Sequence, residues 1–306
     1  MIYNSILQLV GNTPLLRLNN IEKELGLNAK LLAKLEFLNP AGSIKDRVGL
    51  NMIEDAEKKG LLKKDSVIIE PTSGNTGIGI AMAAAVKGYK SIIVMPETMS
   101  EERKKLMVAH GAQLVLTEGK KGMSGAIEKA EQLAKEIPNS FIPAQFENPA
   151  NSKAHYNTTG PEIYEATKGN IDILVAGVGT GGTVTGVGKY LKEKNTNIKV
   201  VGVEPLNSAV LSGKNAGAHK IQGIGSGFIP KVLEIDVLDE IFPVSDDDAI
   251  LTARNFGKKE GFLIGISAGA ALFAAIEIAK KEENKGKTIA VIFPDSGSRY
   301  LSSDLY

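Results

Sequence analysis

The stretch Ile171-Asp172-Ile173-Leu174-Val175-Ala176-Gly177-Val178-Gly179-Thr180-Gly181-Gly182-Thr183 decides the fold. Ile171 to Ala176 is a short, largely apolar run with β-branched Ile171, Ile173 and Val175, of the kind buried in a parallel sheet. A glycine-rich turn follows it, then a helical pattern from Thr183 to Glu193 and a second strand from Lys199 to Val203. Strand, turn, helix and strand in that order make a βαβ unit. The rhythm extends outward on both sides. Toward the N-terminus the strands are Val67–Glu70, Ser91–Met95 and Gln113–Leu116, and the helices Ile78–Lys87, Glu101–His110 and Gly125–Glu136. Toward the C-terminus a helix is expected over Asp246–Glu260, a strand over Phe262–Ile266, a helix over Ala270–Lys280 and a strand over Thr288–Phe293. This alternation predicts an α/β fold with parallel sheets and helices on both faces.

The chain has 306 residues, 43% of them hydrophobic, enough apolar material for two cores. The seam falls around residues 146–155. It divides an N-terminal smaller α/β domain, 1–149, from a C-terminal domain, 150–306, with residues of about 13–35 free to pack on the other domain. The net charge is +1, without the basic excess of a nucleic-acid binder. Lysine pairs such as Lys58–Lys59 and Lys104–Lys105 have acidic neighbours and read as solvated faces. There is no cysteine, which excludes disulfides, thiolate metal sites and cysteine nucleophiles. The first residues do not read as a secretory signal, and no apolar run approaches the roughly 20 residues of a membrane span. A cytoplasmic protein is expected.

Sheets of this kind place ligands beyond the carboxyl ends of their strands. Three loops qualify. Gly177–Thr183 opens a helix, so backbone N–H groups, the helix dipole and two threonine hydroxyls form an anion cup suited to a phosphate. The same loop matches G-x-G-x-x-G, with Glu204 about twenty residues on, which taken alone favours NAD and an oxidoreductase. Pro71-Thr72-Ser73-Gly74-Asn75-Thr76-Gly77 also precedes a helix, and its hydroxyls, carboxamide and N–H groups suit a carboxylate. Gly265-Ile266-Ser267-Ala268-Gly269 matches G-x-S-x-G, a serine-hydrolase signature. All three histidines, His110, His155 and His219, precede Ser267, against the order that fold requires. Nor do they show ligand spacing, so no metal is expected. A lysine, Lys45, stands after the turn-rich Asn39-Pro40-Ala41-Gly42-Ser43 at the start of a helix. An amine in an electropositive site loses its proton readily enough to form an imine.

Further motifs extend these segments: Gly11-Asn12-Thr13-Pro14-Leu15, Gln145-Phe146-Glu147-Asn148-Pro149, Thr159-Gly160-Pro161-Glu162, Ile221-Gln222-Gly223-Ile224-Gly225 and Phe293-Pro294-Asp295-Ser296-Gly297. With the three loops and the Lys45 segment, they make the chain resemble, nearly end to end, the O-acetylserine sulfhydrylase (cysteine synthase) family. These are fold-type II pyridoxal-phosphate (PLP) enzymes related to the tryptophan synthase β chain. The resemblance implies two three-layer αβα domains with mostly parallel twisted sheets and PLP in the cleft between them. It implies PLP on Lys45, its phosphate on Gly179, Thr180, Gly181, Gly182 and Thr183, its ring hydroxyl by Asn75 and its pyridine nitrogen by Ser267. Thr72, Ser73, Gly74, Asn75, Thr76 and Gln145 are implied to bind substrate, the carboxylate of O-acetyl-L-serine above all.

The activity implied is replacement of acetate by sulfide through an aminoacrylate intermediate, with ping-pong kinetics and Lys45 as general base. The implied partners are a second copy of the chain and the C-terminal tail of serine acetyltransferase. A cystathionine β-synthase-like or other PLP β-replacement enzyme is the alternative. Relatives that take bulkier nucleophiles commonly carry a basic residue in the 224–228 region, and this chain has none there. It departs from some relatives at Ala41-Gly42 and at Ala268, where a second serine is frequent.

Overall fold

The structure is a computed structural model that describes residues 2–306. The chain divides into two compact units. One comprises the described residues up to Val10 together with Asn39–Asn151, and the other comprises Gly11–Leu38 and Ser152–Tyr306. The strands in chain order are β1 (Leu15–Arg17), β2 (Lys30–Leu35), β3 (Val67–Pro71), β4 (Lys90–Pro96), β5 (Gln113–Thr117), β6 (Ser140–Phe141), β7 (Ile173–Gly177), β8 (Lys199–Pro205), β9 (Glu240–Val244) and β10 (Thr288–Phe293).

The first unit holds a four-stranded sheet of order β5-β4-β3-β6, parallel throughout. Its strands are apolar on both faces, as a sheet covered on both sides requires. Ile68, Ile93 and Met95 pack with Val48, Met52 and Ile53 of the helix Lys45–Lys58 and with Ile78 and Ile80 of the helix Asn75–Lys87. Their alternates Ile69, Ile92 and Val94 meet Ala126 and Ala130 of the helix Gly122–Glu136. Period-two alternation thus builds three layers from consecutive isoleucines.

The second unit holds six strands in the order β1-β2-β10-β7-β8-β9, all parallel except for the antiparallel β1–β2 pair. One face, through Val175, Val201, Val203, Val291 and Phe293, packs on the helices Asp246–Glu260 and Ile266–Lys280. The other face carries the helix Gly182–Lys194, where a Cβ at Gly188 would lie 3.2 Å from Val200.

The expected α/β class holds, with two differences of detail. Phe262–Ile266 is not a strand. Both neighbours of β10 are already taken by β2 and β7, so this segment has no place in the sheet. It makes one antiparallel bridge, Ile264 to Ser296, just beyond the end of β10. Strand β2 went unread because Lys30-Leu31-Leu32-Ala33-Lys34-Leu35 shows no strand alternation. Lys34 is buried there, its ammonium on the Glu162 carboxylate at 2.6 Å and on the Thr13 carbonyl.

Candidate active site

In the first unit Lys45 is the first residue of its helix. No side chain caps that helix at Ile44; instead the Lys45 N–H donates to Ser43 Oγ at 3.2 Å. The buried Asp46 carboxylate accepts the Ala41 N–H at 2.6 Å, tying the preceding turn to the helix start. Gly42 has φ +81°, a conformation that disfavours any side chain and explains the Ala41-Gly42 pair. Two further glycines set the placement. A Cβ at Gly49 would lie 2.7 Å from the Gly79 backbone, and one at Gly79 would lie 2.5 Å from the Lys45 carbonyl oxygen. The helices Lys45–Lys58 and Asn75–Lys87 therefore touch backbone to backbone, and Lys45 sits against the first turns of the helix that Asn75 begins.

The Thr72–Gly77 loop follows β3. Its chain leaves the sheet at Thr72, whose N–H donates to the Val94 carbonyl at 3.0 Å. The Gly74 N–H turns back to Thr72 Oγ1 at 3.3 Å. Gly74 caps the helix without a side-chain hydrogen bond, and the Gly77 N–H returns to the Gly74 carbonyl at 3.1 Å. Thr76 Oγ1 donates to Gln145 Oε1 at 2.6 Å, so loop and carboxamide are joined although 69 residues separate them. The other face of the loop is braced by Arg103, whose guanidinium donates to the Ser73 carbonyl at 3.4 Å.

Glu70 is the last buried residue of β3 before this loop. Its carboxylate accepts the Ala144 N–H at 2.9 Å and the Gln145 N–H at 3.3 Å. Burial pushes its carboxyl up to about 7, and the two backbone N–H groups pull the other way.

In the second unit the Gly177–Thr183 loop joins β7 to the helix Gly182–Lys194. The loop is packed to its backbone. A Cβ at Gly179 would lie 2.4 Å from the Gly223 carbonyl oxygen, and one at Gly181, where φ is +80°, 2.5 Å from Leu233. The Gly182 N–H meets Thr180 Oγ1 at 3.4 Å, and Ser226 Oγ donates to the Gly179 carbonyl at 2.8 Å. Thr183 Oγ1 lies 3.4 Å from His155 Nε2, and the other ring nitrogen, Nδ1, lies 3.0 Å from Thr159 Oγ1. His155 is fully buried in a π-helical turn, His155–Thr159, a feature frequent at functional sites. Ser267 comes to the same place, because a Cβ at Gly223 would lie 3.9 Å from its Oγ. Ser267 is buried at the first turn of its helix, with its Oγ facing Gly223.

These residues fit PLP. A glycine cradle that no Cβ can enter, followed by a helix N-terminus and two threonines, suits the phosphate. A buried, neutral hydroxyl beside this loop suits the ring nitrogen. They do not fit a dinucleotide, because the Glu204 carboxylate is occupied by the Leu211 and Ser212 N–H groups at 2.8 and 3.0 Å and by the Ser212 hydroxyl. No histidine is hydrogen-bonded to Ser267 among the described residues, so the hydrolase reading has no base. The structure thus brings Lys45, Thr72–Thr76 and Gln145 together in one unit, and Gly179–Thr183 with Ser267 in the other. Glu70, Arg103 and His155 were not singled out by motif. A glutamate ending the apolar run Val67-Ile68-Ile69 was the one available signal, since a carboxylate so placed must be compensated.

Residues 6–295 match the family model described as pyridoxal-phosphate dependent enzyme, and the chain belongs to that family. It is 51% identical over 304 residues to a cysteine synthase of Staphylococcus aureus, an alignment covering 99% of this chain and 97% of that one. The crystal structure of cysteine synthase from Entamoeba histolytica is similar at TM-score 0.97 and 49% identity, covering 100% of this chain and 91% of the other. An O-acetylserine-dependent cystathionine β-synthase from Helicobacter pylori is similar at TM-score 0.94 and 42% identity, covering 100% and 99%.

Proposed function

We propose that the protein is a PLP-dependent cysteine synthase, replacing the acetate of O-acetyl-L-serine by sulfide to give L-cysteine and acetate. The observation that carries this is the Gly49–Gly79 crossing, which sets Lys45 beside the helix that opens from the Thr72–Gly77 loop. An amine that can move a proton and a loop that can hold a carboxylate are what β-replacement on an amino acid demands. The half-identity to a cysteine synthase supports the choice of substrate pair.

When bound, the cofactor supplies an aldehyde for the substrate amine and a conjugated ring that takes up electron density from Cα. Lys45 would hold it, Gly179–Thr183 would take its phosphate, Asn75 its ring hydroxyl and Ser267 its nitrogen. The Thr72–Thr76 N–H and hydroxyl groups, with Gln145, hold the α-carboxylate and orient Cα–H toward Lys45. The Lys45 amine removes that proton and returns it once sulfide has added at the β-carbon. Ser267, a neutral partner, would not enforce a protonated ring, a setting that would favour prompt loss of acetate over transamination. Two half-reactions predict ping-pong kinetics. The absence of a basic residue over 224–228 suits a small nucleophile. A homodimer in the cytoplasm, able to bind the C-terminal tail of serine acetyltransferase at the carboxylate loop, completes the proposal.

The test is borohydride reduction followed by peptide mass analysis, which should place a pyridoxyl group on Lys45. Lys45→Ala should leave a colourless protein with activity lowered by about 1,000-fold or more, because it removes both the anchor and the base. An unmodified Lys45 would sink the cofactor assignment. Rates with homocysteine equal to those with sulfide would overturn the substrate assignment.

A further inference from the structure

We propose that Glu70 is a positioning residue for the substrate carboxylate: its side chain holds the Ala144–Gln145 turn in the shape that delivers the Gln145 carboxamide to Thr76. The inference rests on the reading that Thr72–Thr76 and Gln145 bind that carboxylate.

Three observations on one short path carry it. The first is strain. Ala144 has φ +54°, the left-handed region that a residue with a Cβ avoids. The turn therefore needs an outside tie to persist. The second is the tie itself. One carboxylate oxygen of Glu70 accepts the Ala144 N–H and the other the Gln145 N–H, at 2.9 and 3.3 Å. The two residues whose amides are held are the strained one and the functional one. The third is what the turn presents. With its backbone fixed, Gln145 points Oε1 at the Thr76 hydroxyl, 2.6 Å away, in the first turn of the carboxylate-loop helix.

The remaining bonds secure the back of the turn without defining its front. Asn151 Nδ2 donates to the Gln145 carbonyl at 2.7 Å, and the Glu147 and Asn148 N–H groups return to the Ala144 carbonyl. Glu70, Thr76 and Gln145 are each under a tenth exposed, so water cannot substitute for a lost partner. A buried carboxylate is costly to desolvate, and a hydrophobic residue would serve a sheet better at this position. Ile93, its register partner on β4, is apolar and fully buried. Glu70 is thus explained by what it holds.

The experiment uses the holoenzyme and compares Gln145→Ala, Glu70→Gln and Glu70→Gln with Ala144→Gly. Gln145→Ala should raise KM for O-acetylserine about 10-fold, the loss expected for one hydrogen bond to a charged group. At pH 8, where the Glu70 carboxyl is ionised, Glu70→Gln should raise it by a similar factor while kcat stays within about 3-fold, the signature of lost binding common to ground and transition states. Amide hydrogen exchange at residues 144 and 145 should quicken about 10-fold or more in Glu70→Gln, since one acceptor is replaced by a donor. Glycine at 144 removes the strain, so the double variant should recover most of the lost KM. Should Glu70→Gln not fold, Glu70→Asp, which retreats by one methylene, should show the same KM rise in weaker form. If Gln145→Ala raises KM but Glu70→Gln and Glu70→Asp do not, or if glycine at 144 rescues nothing, the positioning role falls. If Gln145→Ala itself leaves KM unchanged, the carboxylate site falls and the proposal with it.

Discussion

The two loops that open helices in this molecule reach similar ends by opposite construction. The Gly177–Thr183 loop is packed tight down to its own backbone: an added Cβ at Gly179 would fall 2.4 Å from the Gly223 carbonyl oxygen and one at Gly181 2.5 Å from the Leu233 side chain. The Thr72–Gly77 loop is held by side chains. Nothing lies within 4 Å of a Cβ at Gly74, and its shape depends on Thr76–Gln145, Glu70 and Arg103. A loop fixed by backbone contact suits a group that stays bound through many turnovers. A loop fixed by hydrogen bonds suits a group that must come and go.

The difference can be broken most directly at Gly179. Gly179→Ala should weaken PLP retention by about 100-fold or more, measured by dialysis and absorbance, since overpacking against backbone typically costs about 1–3 kcal/mol before any lost phosphate contact. Retention unchanged would mean the Gly177–Thr183 loop is as adaptable as the Thr72–Gly77 loop. An effect of at most comparable size is expected at Glu70, whose carboxyl is raised from the ordinary 4.5 to about 7. Between those values the folded protein keeps a proton that the unfolded chain has released. Its contribution is therefore greatest below pH 4.5, is lost as pH rises to about 7, and is level above. The loss is on the order of 3 kcal/mol at most, from 1.36 kcal/mol per pKa unit. Thermal melts of wild type and Glu70→Gln from pH 5 to 8 should diverge in this sense, and parallel curves would remove the argument. The smallest change should come from Gly74→Ala, expected to shift unfolding stability by under about 0.5 kcal/mol, since the backbone there is extended and the space open.

What could be read in the sequence follows from how local its cause is. The helix Asp246–Glu260 and strand Thr288–Phe293 fall where the periodicity puts them, because caps and β-branched runs are local signals. Strand β2 carries a buried lysine whose partner, Glu162, is 128 residues away, and no local pattern reveals it. The apolar run Phe262–Ile266 looks like a strand, yet strand order leaves it no neighbour. The glycine loops were legible because close approach and positive φ demand particular residues. Glu70 and Arg103 were not, because they act by holding the backbone of residues distant in sequence. The sequence offers no more for His155 than a packing or surface position, whereas the structure sets it 3.4 Å from Thr183 at the end of the Gly177–Thr183 loop.

The contact of Gly49 with Gly79 has a mechanical consequence. Two helices in backbone contact have no side-chain layer between them to yield, so they shift as one piece. Any motion of their unit carries Lys45 and the Thr72–Gly77 loop together, and the spacing that the proposed proton transfer needs survives whatever else in that unit rearranges.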